Sequence, residues 1–133
     1  VAENAVLNAN YIKEKLKDGY ELPYSQACKH ECVFSASRQA QKEIHAIDIA
    51  KALIEYGFHP PTMYFPGIVK EALMVEPTET ESKETLDAFI EAMIEIAKRV
   101  DTDPESLKAA PQTTPVNRLD ETSAARNLDI ATI

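Results

Sequence analysis

The sequence has no tryptophan, only three glycines, only two cysteines, and fourteen basic residues against twenty-two acidic ones. Each shortage excludes something. Three glycines cannot build a glycine-rich loop whose backbone cradles a phosphate. Two cysteines are too few for a disulfide framework, and nothing marks the chain for secretion. A formal charge of −8 is the opposite of the basic surface that releases counterions from nucleic acid, and it repels anionic membranes. No apolar run exceeds a few residues, so no segment spans a bilayer. The opening residues carry no basic n-region and no apolar h-region, so they are not a signal peptide. A cytoplasmic protein is expected, without nucleic-acid or membrane partners. An initiator methionine is also missing, and the chain opens in a helical pattern with no cap before it. A piece of a longer protein, or a processed chain, is expected to begin that way.

What is present is an ordinary globular composition: 133 residues, 44% hydrophobic and 27% charged. A domain of this size buries roughly two-thirds of its unfolded surface, enough for a modest core without staples. Val1, Ala5, Ala9, Ile12 and Leu16 recur at helical spacing, and Gly19 is the expected stop. Residues 30–36 alternate as a strand does, with His30, Cys32, Phe34 and Ala36 on one side. Residues 38–45 read as a polar loop. A helix over 47–56 ends at Gly57, with Phe58 placed for a Schellman close over Leu53. Pro60 and Pro61 forbid a helix. Residues 62–65 read as a short edge strand and 72–75 as a second good strand. The strongest element covers 82–100, where Leu86, Phe89, Ile90, Met93, Ile94, Ala97 and Val100 form one stripe. Thr78, Thr80 and Ser82 each suit its N-cap, and Thr78 with Glu81 fits a capping box. Asp103 and Pro104 start a short helix running to about Ala109. Beyond Ala110 the pattern weakens into a tail, with one or two helical turns within 119–126.

Helix, strand, helix, short strands, long helix and tail predict a two-layer α+β fold, a small sheet with helices on one face. The expected division is a helix over 1–19, an α+β domain over 20–109, and an extended tail over 110–133.

Few residues carry chemistry. Cys28, His30 and Cys32 invite a zinc reading, but on one strand the outer two stand roughly 13 Å apart and no second ligand pair follows. Inward-packing strand residues explain them better, and no metal site is expected. The acids from Glu76 to Glu91 suit the first turns of a helix. Glu76 is set apart by its place between a strand end and a proline turn. His59 is the best single candidate, a near-neutral imidazole on a rigid loop after a helix. None of the ten lysines stands out as buried.

The stretches YGFHPPTMYFP (56–66) and ALMVEPTETESK (72–83) closely resemble glycine dehydrogenase (decarboxylating), the P-protein of the glycine cleavage system. AVLNANY (5–11), KHECVFS (29–35) and TTPVNRL (113–119) match the same family in register and in order. The tail resembles that of subunit 2 of the split, two-subunit form. The resemblance implies the C-terminal small domain of a fold-type-I pyridoxal-phosphate enzyme. In that family the coenzyme takes up the electrons released as glycine loses carbon dioxide, and the aminomethyl group passes to the lipoyl arm of the H-protein. It implies subunit 1, the lipoylated H-protein and glycine as partners. No segment matches the family's Schiff-base lysine motif, so neither catalytic nor coenzyme-binding residues are expected in this chain. It would close the active site and be inactive alone. His59, Thr62, Glu76 and Thr78 lie in the two matching loops and are expected to face the cleft. Gly67 departs from the family, which usually carries a bulkier apolar residue there. The alternative is a non-catalytic α+β module that binds a small ligand or regulates. Self-association through the stripe of the first helix is expected once a preceding domain is absent.

Overall fold

The computed structural model describes residues 2–128. Its elements in chain order are α1 (Ala2–Leu16), β1 (Cys32–Ser35), α2 (Ser37–Ala40), α3 (Ala46–Glu55), β2 (Thr62–Met63), β3 (Ala72–Val75), α4 (Lys83–Thr102), α5 (Pro104–Ala109) and α6 (Glu121–Arg126). The three strands form one antiparallel sheet in the order β1-β3-β2. Cys32 stands opposite Val75, Phe34 opposite Leu73 and Thr62 opposite Met74. The fold is a small α+β domain.

The core follows from the apolar stripes. Ala5, Ala9, Ile12 and Leu16 of α1 are buried, as are Leu86, Phe89, Ile90, Met93, Ile96 and Val100 of α4. α1 packs on α4 and β1, while α3 packs on α4, α5 and β2. The α1 stripe is therefore already covered within the chain, apart from Val1, which lies outside the described residues. That removes the exposed stripe on which the expected self-association rested. At the centre, Tyr20 and Phe34 meet edge to face at 6.2 Å between ring centroids, both fully buried. The Tyr20 hydroxyl donates to the Met93 carbonyl at 2.8 Å. Burial drives that phenol far above its ordinary pKa.

Chain ends of the elements show which local signals prevailed. Gly57 takes φ +82°, and its N–H reaches the Ile54 carbonyl while that of Phe58 reaches Leu53, the Schellman pattern. Phe58 then packs edge to face on Phe89 at 5.5 Å. Gly19 behaves differently. α1 already ends at Leu16, whose carbonyl accepts from both Gly19 and Tyr20, and Gly19 stays out of the left-handed region. α4 is capped by Ser82, whose hydroxyl accepts from Thr85 N–H at 3.1 Å. Thr78 and Glu81 form only a turn, so the expected capping box is replaced by a cap one residue before the helix. The strand expected over 30–36 narrows to Cys32–Ser35, and the polar loop after it opens with the single-turn α2.

Helix α3 begins under a remote cap. Glu71, in the left-handed region at φ 52°, accepts from Ala46 N–H at 2.7 Å and pairs with His45 Nδ1 at 2.9 Å. Partial burial opposes ionisation of Glu71, but these two bonds hold its carboxyl below the usual range. A carboxylate whose pKa is lowered on folding stabilises above its unfolded value, about 4.3, and loses that contribution as pH falls through the folded one. Glu71→Ala is expected to cost about 1–2 kcal/mol at pH 7, the worth of a lost N-terminal cap. Urea unfolding at pH 7 and again below about pH 4 checks this, because the gap between variant and wild type should close in acid.

The start of the tail is anchored at several points: Ala110 and Pro111 are buried, Gln112 N–H donates to Glu55 of α3, and Arg118 forms a clasp. Arg118 pairs with the buried Asp48 of α3 at 2.7 Å and donates to the carbonyls of Ala110 (2.6 Å) and Leu107 (3.0 Å). No residue of α6 is buried.

Candidate functional site

Two loops and the first turn of α4 enclose a cleft of about 350 Å³. After the Schellman turn, Phe58, His59, Pro60 and Pro61 form one wall, and their fixed backbone leads straight into β2. Val75, Glu76 and Pro77, where β3 runs out, form a second wall. Glu81 and Thr85 stand at the start of α4, and Ile12, Leu86 and Phe89 make the apolar floor.

His59, Thr62 and Glu76 all line this cleft. His59 is exposed, and its ring makes no hydrogen bond with the described residues. Thr62 is fixed by its ladder position opposite Met74. Thr78 does not line the cleft. Its carbonyl accepts from Asn8 Nδ2 at 2.9 Å and its hydroxyl pairs with Thr80 at 2.9 Å, just past the wall at Pro77.

The same Glu76 faces a second group. His30 Nε2 lies 3.6 Å from Glu31 Oε2 and 4.0 Å from Glu76 Oε1. These three residues, rather than Cys28, His30 and Cys32, are the ones that converge, with ligand-type atoms all within 4.8 Å. They are largely exposed, and their arrangement is that of an ion pair whenever the imidazole is protonated. The strand starts only at Cys32, whose thiol is buried and turned to the Val75 carbonyl at 3.8 Å. Burial raises the thiol pKa of both Cys28 and Cys32, so neither has the lowered pKa of a reactive thiolate.

Lys13 is the buried lysine that no sequence signal singled out. It stands on the α1 stripe, four residues after Ala9 and three before Leu16, and that spacing was the available clue. Its ammonium donates to the carbonyls of Ser25 (2.9 Å) and Gln26. Asn10 holds the next part of the loop, donating to Cys28 O (2.7 Å) and accepting from Cys28 N–H (3.0 Å). α1 thus fixes the loop that carries His30 beside Glu76. Glu81 and Thr85 were missed as cleft residues because their place depends on how α4 packs against α1 and α3.

Comparison with known proteins decides the family. The model of the family described as "Glycine dehydrogenase, C-terminal domain" matches residues 1–118. The chain belongs to that family. Proteins named "Probable glycine dehydrogenase (decarboxylating) subunit 2" from Listeria innocua, Staphylococcus haemolyticus and Shouchella clausii are each 59% identical to it over 126 residues. Those matches cover 95% of this chain but only 26% of each relative. The five family-like stretches fall on distinct parts of this glycine dehydrogenase C-terminal domain: on α1, on β1 and the loop before it, on the two cleft walls, and on the Arg118 clasp. Gly67, expected to depart from the family, has nothing within 4 Å of where a Cβ would stand. A larger side chain there would therefore meet open space. Among the described residues no helix is long and apolar enough to cross a membrane.

Pyridoxal phosphate does not fit this cleft on the chain's own residues. The lining holds two carboxylates, Glu76 and Glu81, and neither lysine nor arginine to form an imine or to meet a phosphate. Lys13 lines a neighbouring concavity, with its ammonium committed to two carbonyls.

Proposed function

We propose that this chain is the C-terminal part of a pyridoxal-phosphate-dependent glycine decarboxylase and supplies one wall of its active site. The observation that carries the reading is the meeting of the two family-like loops: His59 and Thr62 from one and Glu76 from the other line a single cleft. The whole enzyme decarboxylates glycine and passes the aminomethyl group to the lipoyl arm of H-protein, working with subunit 1 in the cytoplasm. The coenzyme's lysine anchor and phosphate cradle belong to the part of subunit 2 outside this chain. In this reading α1, with residues 1–19, enters from that part. Residues 20–109 form the cleft wall, and the tail that begins at Ala110 is clasped to α3 through Arg118. Alone, the chain is inactive and binds no coenzyme.

The cleft residues act by shaping and polarising that wall. Glu76 and Glu81 keep it acidic, which disfavours anions and favours cationic groups. His59, whose ring has no hydrogen-bond partner among the described residues, is available to hydrogen-bond or to exchange a proton with whatever faces it. Thr78 braces the Glu76 loop through Asn8.

His59→Asn and Glu76→Gln, placed separately in full-length subunit 2 assembled with subunit 1 and H-protein, are each expected to lower glycine–bicarbonate exchange by roughly tenfold or more. Lys51→Gln, on α3 and away from the cleft, should leave it unchanged. Full activity in both cleft variants would place the active site elsewhere.

A further inference from the structure

We propose that the loop over residues 64–70, together with Tyr24, is the surface on which the remainder of a full-length subunit 2 docks. The proposal rests on the family reading above. Ile68 is 87% exposed, Phe65 56%, Tyr64 49% and Tyr24 43%. Three of these are contiguous: Tyr24 shares one concavity with Phe65 and Pro66, and another with Ile68 and Val69. Large apolar side chains exposed together in this way, rimmed by charged residues, mark an interaction surface.

The loop is not slack. Tyr64 N–H donates to Ala72 O at 2.8 Å and Val69 N–H to Pro66 O at 3.0 Å. From β1, the Ser35 hydroxyl donates to Lys70 O at 2.7 Å, and Ala36 N–H reaches Glu71 O at 2.9 Å. Apolar side chains displayed on a backbone already fixed lose little entropy on association.

The occupant follows from chain length. Each matched relative carries about three-quarters of its sequence outside the region this chain covers, the match being 26% of its length. In a full-length subunit that remainder is tethered to this domain, and its effective concentration exceeds that of any separate partner. The patch also borders the cleft, because Met74 lines both the cleft and the concavity that holds Phe65 and Tyr24. A body seated on the patch therefore overlooks the cleft.

Hydrogen–deuterium exchange on full-length subunit 2, without subunit 1, tests this at Gly67 and Ile68, whose N–H groups are in no hydrogen bond among the described residues. Docking is expected to slow their exchange by about tenfold or more from the intrinsic rate, independently of protein concentration. Ile68→Glu should restore fast exchange there. Slowing that appears only when subunit 1 is added would overturn the proposal in favour of the other subunit. Slowing that grows with concentration would overturn it in favour of a second copy, and fast exchange throughout would leave the patch uncovered and the proposal wrong. Glycine–bicarbonate exchange is measured on the same preparation after adding subunit 1 and H-protein. Protection without activity contradicts the proposed function alone, and activity without protection contradicts the docking alone.

Discussion

Phe34→Ala lowers the stability of the domain by about 3–5 kcal/mol, the usual cost of emptying a buried phenylalanine site. Phe34 is fully buried at the middle of β1, opposite Leu73, with the Tyr20 ring against its edge. Collapse cannot fill the hole cheaply. One side is a sheet ladder, and the Tyr20 ring is anchored by its bond to Met93 on α4. Domains are stable by only about 5–15 kcal/mol, so this one change removes a large share. The thermal midpoint should fall by more than about 10 °C. Phe34→Leu, which keeps most of the volume, should cost well under half as much. Equal losses in the two variants, read by urea unfolding, would show that packing at this site is not what the structure describes.

Arg118→Ala is expected to cost about 2–4 kcal/mol. Asp48 is buried and lies in the first turn of α3, where it also accepts from His45 N–H at 2.8 Å. Removing Arg118 leaves a buried carboxylate without its cation, and breaking such a pair typically costs about 3–5 kcal/mol. Partial exposure of the Arg118 side chain, 31%, trims that figure. The Ala110 carbonyl loses its side-chain donor in the same step, and the Leu107 carbonyl, which keeps the Ala110 N–H, loses one of two. Arg118→Lys keeps the charge but cannot span three acceptors with one ammonium, so it should recover only a minor part. The double variant Arg118→Ala, Asp48→Asn should be more stable than Arg118→Ala alone, because the stranded charge is gone. If Arg118→Ala unfolds at the wild-type urea concentration, the clasp contributes nothing.

These two residues also show what the sequence could and could not disclose. The periodicity around Phe34 placed it inward, and the strand at Ala72–Val75 and the helix from Pro104 to Ala109 were legible because their signals are local: short apolar runs, a capping aspartate, a proline at the first helical position. Gly57 and Phe58 announced a Schellman close for the same reason. Arg118 appeared only as part of a family-like motif. Its partner lies seventy positions away, and no spacing rule links a tail arginine to Asp48. The Glu71 cap on α3 is equally remote, since it depends on a left-handed residue just before β3. Gly19 misled because a glycine after a helical stripe signals a stop without requiring a positive φ. At the cleft, His59 and Glu76 stood out as loop residues beside prolines, and the family resemblance added Thr62, along with Thr78, which stands just past the cleft wall. Glu81 and Thr85 stayed hidden behind a simpler explanation, that acids and hydroxyls favour the start of a helix.

The central claim is that the coenzyme's covalent anchor lies outside these residues while one wall of the cleft lies within them. The most direct measurement compares this chain alone with the assembled full-length enzyme, recording visible absorbance after adding pyridoxal phosphate and glycine–bicarbonate exchange with H-protein present. The account predicts no stable coenzyme band and no exchange from the chain alone, and both from the assembly. A stoichiometric coenzyme band together with glycine-dependent exchange from the isolated chain would contradict it.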